Sequence, residues 1–457
     1  MCFISITNPL DDRMKYQKSW KGEMQVSQWA EFEAFVEDIM KAEHIPGVAV
    51  AVSENGKTIY QKGFGTRDLE TNEPVTPDTI FGVASVTKSF TALAIMKLVE
   101  EGKLQIADPV TKYLPQFQLI GYDDIDDITI HHLLSHTTGI ATMKRVEQLD
   151  GFDEHLRYIN KVERTVLGRP GEFICYNNDL FLLLGAIIEQ VTGESYQDYI
   201  KKLLLKPLGM NRTTYSLDEL QSFDNVTTPY VLEDGKPKPC EWPTLGNYAV
   251  GGGIRSTVKD LLKYGNVFVA QQEIIGHESI ARMAEPVHYT SGNSFYGYAL
   301  QITPNYSGVT IVEHGGGQPG VSSNFGFIPE RGIVAAVLTN LSDVSASAIW
   351  LAAVNTALGL SIDQKRSTEP HFDMKPEQLQ RMVGTYRSGE GLEVNITLED
   401  QKMMATVSDK TYELRASDES TLVVMMPIEK PIRFFFDEDN DAWAIFLGLR
   451  MLMKQVS

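Results

Sequence analysis

Apolar positions recur along the chain with two periods, and the elements they predict fall into two blocks. Phe32, Phe35, Val36 and Ile39 stand at i, i+3, i+4 and i+7, the stripe of an amphipathic helix over Trp29 to Ala42. Beyond Pro46-Gly47 the period shortens. Val48 to Val52 and Lys57 to Gln61 read as two strands around an Asn55-Gly56 hairpin turn. Thr91 to Val99 is apolar nearly all round and predicts a buried helix, with Gly102 as its stop. Leu180 to Val191 predicts a second apolar helix. Further on, Val309 to Val312, Asn324 to Ile328 and Ile333 to Thr339 read as sheet. Ser345 to Leu358 reads as a helix packing back on it.

Between Gly359 and Lys375 the composition turns polar, and past Met382 the pattern changes. Short alternating strands follow at Leu392 to Leu398, Lys402 to Val407, Thr411 to Leu414, Thr421 to Met426, Ile432 to Phe436 and Ala442 to Leu449. Turn signals at Glu399-Asp400, Ser408-Asp409 and Asp437 to Asp441 separate them, a spacing that predicts a small antiparallel barrel or sandwich. The expected organisation is a polar tail over 1–24, a first domain over 25–360, a linker over 361–375 and a second domain over 376–457. Met14 and Met24 stand in the tail as alternative starts.

Composition narrows the function. A chain of 457 residues exceeds what one core organises, and 43% hydrophobic with 22% charged residues is globular. The net charge of −19 argues against nucleic acid as a partner and suits an anionic membrane surface poorly. No apolar run is long enough to span a bilayer, and the N-terminus lacks the basic start of a secretory signal. Three cysteines (Cys2, Cys175, Cys240), sparse and without metal spacing, suit a reducing compartment, so a cytoplasmic location is expected.

Candidate chemistry centres on Ser85 and Lys88, at i and i+3 where the buried helix begins. A serine hydroxyl needs a neighbouring base, and a lysine serves only when burial or a helix N-terminus lowers its pKa. The free N–H groups there also suit a developing oxyanion. Ser256 and Lys259 repeat the spacing, but Thr257 and Asp260 form a capping box that explains the second site structurally. Tyr176 and Asn178 precede the second apolar helix, their side chains on one side if the segment is extended. His132 and His136 have the spacing of helical zinc ligands without an intervening glutamate, and read as structural. Asp123, Asp124, Asp126 and Asp127 lack the glycine and terminal glutamate of a calcium loop and read as a solvated turn. Cys175 has no base nearby, and Gly251 to Gly253 reads as close backbone packing rather than a phosphate cradle.

Taken in order, Ser85-Val-Thr-Lys88, Tyr176-Asn-Asn178 and His314-Gly-Gly316 give the chain a resemblance to the serine β-lactamase / penicillin-binding-protein superfamily. It is most similar to the class C-like branch of D-aminopeptidases, DD-peptidases, esterases and CubicO-type peptidases. Asp108-Pro-Val110, Leu133 to Gly139, Pro207 to Met210 and Gly252 to Thr257 resemble landmarks of that branch, and the likeness runs from residue 27 to 358. It implies Ser85 as the acylated nucleophile, Lys88 as its base and Tyr176 as the proton relay. Asn178 would hold Lys88 and the substrate amide, and His314 would replace the third-motif lysine. A free histidine is about half charged near pH 6.5, where a lysine keeps its charge. The Gly316-Gly317 backbone would border the site, with the N–H groups of Ser85 and Gly317 as the oxyanion hole. No metal or organic cofactor is implied.

The implied fold is α/β: an antiparallel sheet flanked by the N-terminal helix and the helix from Ser345, with an all-helical region holding Ser85. The C-terminal barrel resembles a lipocalin-like appendage that restricts access to the site or assists assembly into a homo-oligomer. Implied substrates are small peptides, amides or esters, with peptides containing D-amino acids foremost. Esterase and β-lactamase activities stay open, as does a catalytically silent relative serving as a binding or scaffold module.

Overall fold

The computed structural model describes residues 28–149, 151–270, 274–400, 402–407, 410–425 and 429–455. The expected polar tail with Met14, Met24 and Cys2, and the Ser408-Asp409 turn, lie outside the described residues. Helix α1 (28–43) carries the predicted stripe. Phe32 and Val36 are fully buried in one cluster with Val48, Val50 and Val52 of strand β1 (Gly47–Glu54). Trp29 stacks flat on Tyr60 of β2 (Lys57–Gly65), ring centroids 4.1 Å apart. Asn55 and Gly56 between the strands both adopt positive φ (49° and 75°), as a two-residue hairpin turn requires.

Helix α2 (Thr87–Glu100) follows Ser85 and is buried on nearly every side, which accounts for its lack of polar periodicity. Helix α3 (Val258–Val269) lies between that helical region and the sheet. A Cβ on its Gly265 would fall 2.1 Å from Val334, so glycine sets how closely helix and sheet approach. The strands β3 (His288–Ser291), β4 (Ser294–Tyr296), β5 (Gln301–Tyr306), β6 (Val309–Gln318), β7 (Val321–Ile328) and β8 (Ile333–Thr339) complete an antiparallel sheet in the order β2-β1-β8-β7-β6-β5-β4-β3. Helix α4 (Ala346–Leu358) joins α1 on one face, burying Val48, Val50, Ala335 and Val337. The opposite face buries Ala49, Ala51, Val334, Ala336 and Leu338 against the helical region. Burial of both faces explains the uninterrupted apolar run of β8.

The sequence reading of the sheet falls short at two places. Strands β3 to β5 went unpredicted because they are short, partly polar and interrupted by Pro304. Strand β6 continues past Val312 through three consecutive glycines to Gln318, a composition that carries little strand signal.

Eight strands then close a barrel: β9 (Gly384–Arg387), β10 (Glu393–Glu399), β11 (Lys402–Val407), β12 (Lys410–Ala416), β13 (Thr421–Val424), β14 (Lys430–Phe436), β15 (Ala442–Leu447) and β16 (Arg450–Lys454). Each pairs with the next, and β16 returns to β9. Val394, Ile396, Ile432, Phe434, Ile445 and Leu452 fill the interior. The outer face of β15 and β16 is apolar too. Ala444, Phe446 and Met451 share a buried cluster with Tyr176 and Tyr296 of the first block. The connecting segment is pinned to both blocks at its middle: Arg366 grips buried Glu313 through bonds of 2.6 and 2.8 Å, and Arg415 donates to the Glu369 carbonyl. Among the described residues no helix is long and apolar enough to cross a membrane.

Candidate active site

Ser85 lies in a single turn of 3-10 helix (Ala84–Val86) that runs directly into α2. Ala84 before it is held at φ +45°, a conformation costly for a residue with a Cβ, and the turn thereby offers up Ser85. One turn on, the Lys88 side chain is completely buried, with Nζ 3.3 Å from Ser85 Oγ, 2.9 Å from Asn178 Oδ1 and 3.0 Å from the Gly251 carbonyl oxygen. Burial holds this amine well below its ordinary pKa. The charges of Arg145 and Arg450 push the same way, and Glu390 pushes back. Gly251 makes room for it: a Cβ there would sit 2.7 Å from Nζ. The close backbone packing expected of the Gly251 to Gly253 run therefore has a specific object, the Lys88 side chain.

Tyr176 and Asn178 come from the segment opening the next helix, where Asn177 caps by accepting from the Leu180 N–H. The Tyr176 ring lies 4.9 Å from Lys88 Nζ, and its hydroxyl is buried without a well-formed hydrogen bond. Burial raises the phenol pKa, an effect only partly offset by the Ser85 hydroxyl beside it. His136, part of a sequence landmark but given no role there, packs its ring 4.2 Å from that of Tyr176 and accepts from the Asn177 N–H. It sits at the left-handed end of its helix while His132 caps the start through Thr129, so the two rings part company.

His314, on β6, is buried with Nδ1 2.6 Å from the Gly315 carbonyl oxygen and Nε2 3.0 Å from the Tyr296 hydroxyl. The carbonyl can only accept, so Nδ1 carries the proton and Tyr296 donates to Nε2. Burial, then Lys88, pushes the imidazole down to about 3. The half-charged histidine expected from its free pKa is thus corrected: this ring is neutral at working pH, and the lysine's charge has no substitute at this position. A Cβ on Gly316 would fall 2.3 Å from the Val83 carbonyl oxygen and 3.0 Å from the Ser85 amide nitrogen, so strand β6 and the Ser85 turn meet backbone to backbone. Gly317 next to it has open space on its Cβ side.

Three residues the sequence reading missed come from the barrel. Glu390, in the loop before β10, accepts from Asn178 Nδ2 at 3.1 Å and pairs with Arg450 Nε at 2.8 Å. The Arg450 guanidinium lies 5.1 Å from the centre of the Tyr176 ring. Leu449, at the left-handed tip of the β15–β16 hairpin, accepts from the Tyr176 N–H at 2.7 Å. The available cue was a carboxylate between two glycines, Gly389-Glu390-Gly391, just ahead of the first predicted barrel strand; no pattern tied it to a residue 212 positions away.

The remaining candidates lie apart from this cluster. Ser256 bonds Thr213, Lys259 pairs with Asp78, and Thr257 caps α3 through the Asp260 N–H, which is half of the expected capping box, for the Asp260 carboxylate accepts from the Arg212 N–H and the Thr213 hydroxyl instead. Burial lifts the Cys175 thiol to about 11, far from a reactive thiolate. Asp126 accepts from Thr111 in an exposed turn.

The family model described as Beta-lactamase matches residues 32–357, ending before the barrel. Protein flp of Staphylococcus aureus (strain MW2) is 34% identical over 230 residues, 48% of this chain and 45% of that protein, so the chain spans about half the length of such curated relatives. Penicillin-binding protein 4* of Bacillus subtilis (strain 168) is 27% identical over 420 residues, 85% of this chain and 90% of the relative. Among solved structures, the octameric penicillin-binding protein homologue from Pyrococcus abyssi aligns with a TM-score of 0.70 at 30% identity, covering 93% of this chain and 99% of its own. That coverage takes the likeness into the barrel. A beta-lactamase/D-alanine carboxypeptidase from Pseudomonas syringae shares the fold, with a TM-score of 0.63 at 17% identity over 73% of this chain and 99% of its own.

Proposed function

The chain belongs to the Beta-lactamase family, a family of serine hydrolases, and from that premise we propose that it hydrolyses small peptides, those with D-amino acids foremost, through an acyl-enzyme on Ser85. The observation that carries this reading is the bonding of Lys88. With the amine neutral, its two N–H groups go to Asn178 Oδ1 and the Gly251 carbonyl, which only accept, and its lone pair is left for the Ser85 hydroxyl 3.3 Å away.

Lys88 takes the hydroxyl proton as Ser85 Oγ attacks the scissile carbonyl. The oxyanion that forms is held by the N–H groups of Ser85 and Gly317. As the C–N bond breaks, Tyr176 gives its proton to the leaving nitrogen and recovers one from the Ser85–Lys88 pair. A neutral phenol suits that step, because burial keeps its proton on at working pH. Water then attacks the acyl carbonyl, its proton passes through Tyr176 and Lys88 to Ser85 Oγ as the acyl C–Oγ bond breaks, and the acid is released. His314, neutral, orients β6 through Tyr296 and Gly315 rather than supplying charge.

A fluorophosphonate probe should add one adduct by intact mass, and peptide mapping should place it on Ser85. Labelling at Ser256 or Cys175 overturns the assignment. Aminoacyl p-nitroanilides of both configurations, p-nitrophenyl esters and a chromogenic cephalosporin separate peptidase from esterase and β-lactamase. The octameric assembly named for the Pyrococcus abyssi homologue supports self-association here as well, which light scattering tests directly.

A further inference from the structure

A second buried polar cluster stands behind the base, and no step of the acyl transfer uses it. Asp179 follows Asn178 in the helix Asn178–Phe181 and is almost wholly buried. Its Oδ1 takes two bonds, from the Tyr248 hydroxyl at 2.5 Å and from His155 Nε2 at 3.1 Å. His155, on the helix Phe152–Lys161, is fully buried, and its Nδ1 has no partner among the described residues. An N–H at Nδ1 would be buried without an acceptor, so the imidazole proton sits on Nε2 and points at Asp179. Tyr248 is held from its other side as well. Its hydroxyl accepts from the Val146 N–H at 3.0 Å, and the Arg145 guanidinium lies 4.4 Å from its ring centre.

The place of this carboxylate in the chain gives the cluster its meaning. Besides Ser85, Lys88 Nζ has two acceptors, Asn178 Oδ1 at 2.9 Å and the Gly251 carbonyl at 3.0 Å. Asn178 is the residue before Asp179. Gly251 lies in the short helix Ala249–Gly252, into which the turn Gly246–Tyr248 runs directly. The Tyr248–Asp179 bond therefore ties together the two segments that carry the acceptors of the base. The charges that bear on the amine are those of Arg145, Arg450 and Glu390, and Asp179 is not among them. Its influence on Lys88 runs through position.

We propose that Asp179 is a positioning residue of the acyl-transfer site: bridged to Tyr248 and backed by His155, it fixes the Asn178 oxygen and the Gly251 carbonyl relative to each other and so aims the Lys88 lone pair at Ser85. The inference deepens the acyl-enzyme reading and rests on it. Both bonds converge on one oxygen, so an amide oxygen in the same place can accept them too. A role through charge cannot be filled that way.

The test follows the rate at which a fluorophosphonate labels Ser85 in the full-length chain, as a function of pH. Tyr248→Phe deletes one oxygen and keeps the ring against Arg145. It should slow labelling roughly tenfold to a hundredfold, the loss expected when a base is displaced by up to 1 Å. The acid limb should also move to lower pH, because the ammonium form loses most when the Gly251 carbonyl drifts from it. Arg145, Arg450, Glu390, His136, His314 and Tyr176 face the amine and are unchanged in every variant. Asp179→Ala should match or exceed the loss in Tyr248→Phe, and Asp179→Asn should restore most of the rate. Tm is read for each variant, and Tyr248→Phe carries the test if Asp179→Ala fails to fold.

A wild-type labelling rate in Tyr248→Phe overturns the proposal. So does a loss equal at every pH with the acid limb unmoved, which is a loosened fold and not a displaced base. Asp179→Asn as slow as Asp179→Ala also overturns it, since the charge and not the place of the oxygen would then matter. Absence of any Ser85 adduct in the wild type strikes the acyl-enzyme reading itself, and this inference with it.

Discussion

Asn178 and Glu390 lie 212 positions apart in sequence and are joined by a hydrogen bond of 3.1 Å. Asn178 is thereby engaged at both ends of its amide, its oxygen by Lys88 and its nitrogen by a residue of the barrel. The charge state of the base and the seating of the barrel loop meet in one side chain.

Replacing that amide by a carboxylate acts on both, since it charges the oxygen side facing Lys88 and takes the N–H donor away from Glu390. Asn178→Asp puts a negative charge 2.9 Å from Lys88 Nζ and favours the ammonium form. The acid limb of kcat/KM, which reports loss of the neutral amine, should move to higher pH by about one unit or more. A pH profile superimposable on wild type removes Lys88 from the role of base.

Gly251→Ala tests the position of the base without touching its chemistry. The new Cβ, 2.7 Å from Nζ, must push the amine off the line to Ser85. A displacement on the order of 1 Å costs about 10²-fold in rate. Circular dichroism and Tm should stay near wild type while kcat falls. A full rate in a correctly folded variant means that the Lys88–Ser85 geometry is not what limits acylation.

Tyr176→Phe keeps the ring and removes the proton. If the phenol serves the leaving group and the incoming water, turnover of an ester should slow while acyl-enzyme builds up, giving a burst in stopped flow. An unchanged steady-state rate leaves Tyr176 as packing for His136 and Lys88.

Four histidines give the fold an acid-sensitive side. Burial is the first cause in each case: it lowers His131, takes His132 to about 4 and His314 to about 3, and holds His136 well below its ordinary value. In the unfolded chain these rings protonate near pH 6.5, so between that pH and their folded values the unfolded state binds more protons. Stability therefore rises with pH across that window and is lost as pH falls through it, by at most about 1.4 kcal/mol per pH unit for each fully buried ring. Urea titrations at pH 7, 6, 5 and 4.5 should show a falling midpoint, with a shallower slope in His314→Gln. A midpoint flat down to pH 5 contradicts the burial of these rings as neutral groups.

What the sequence made legible follows from where the information lies. The hydrolase fold, the Ser85–Lys88 pair and the Tyr176–Asn178 pair were readable because each is a local pattern: a helix start with fixed spacing, an extended pair before an apolar run. Six strands of the barrel were readable from alternation; Gly384–Arg387 is too short to show a period, and the strand read over Ala442 to Leu449 ends at Leu447, with Arg450–Lys454 returning as a separate strand that went unpredicted. The neutrality of His314 was not readable, because it depends on burial among Tyr296, Tyr176 and Lys88. Nor was the reach of Glu390 and Arg450 into the site. Both sit at hairpin ends of the barrel, and the packing of Phe446 and Met451 against Tyr176 and Tyr296 brings those ends to the Ser85 cluster.

That packing also decides how access to the site is best tested. Cutting the chain after Leu360 would expose the apolar cluster around Tyr176 and remove the Leu449 carbonyl from its N–H, so a change in specificity would be inseparable from damage to the site. Gly389 offers a finer tool. A Cβ there would lie 1.8 Å from the Thr142 carbonyl oxygen. The Thr142 segment is fixed, since Asn177 donates to the adjoining Ala141 carbonyl, so the barrel loop must give way and carry Glu390 off Asn178. Gly391→Ala serves as the control: its φ of +96° strains the loop as an alanine, but its added Cβ meets nothing within 4 Å. If the loop restricts entry, Gly389→Ala should raise kcat/KM for a longer peptide relative to a dipeptide, beyond any change in Gly391→Ala, with Tm lower by a few degrees. A ratio between the two substrates that stays at the wild-type value in both variants rules the loop out as a barrier and leaves it a clasp between the barrel and the helical region.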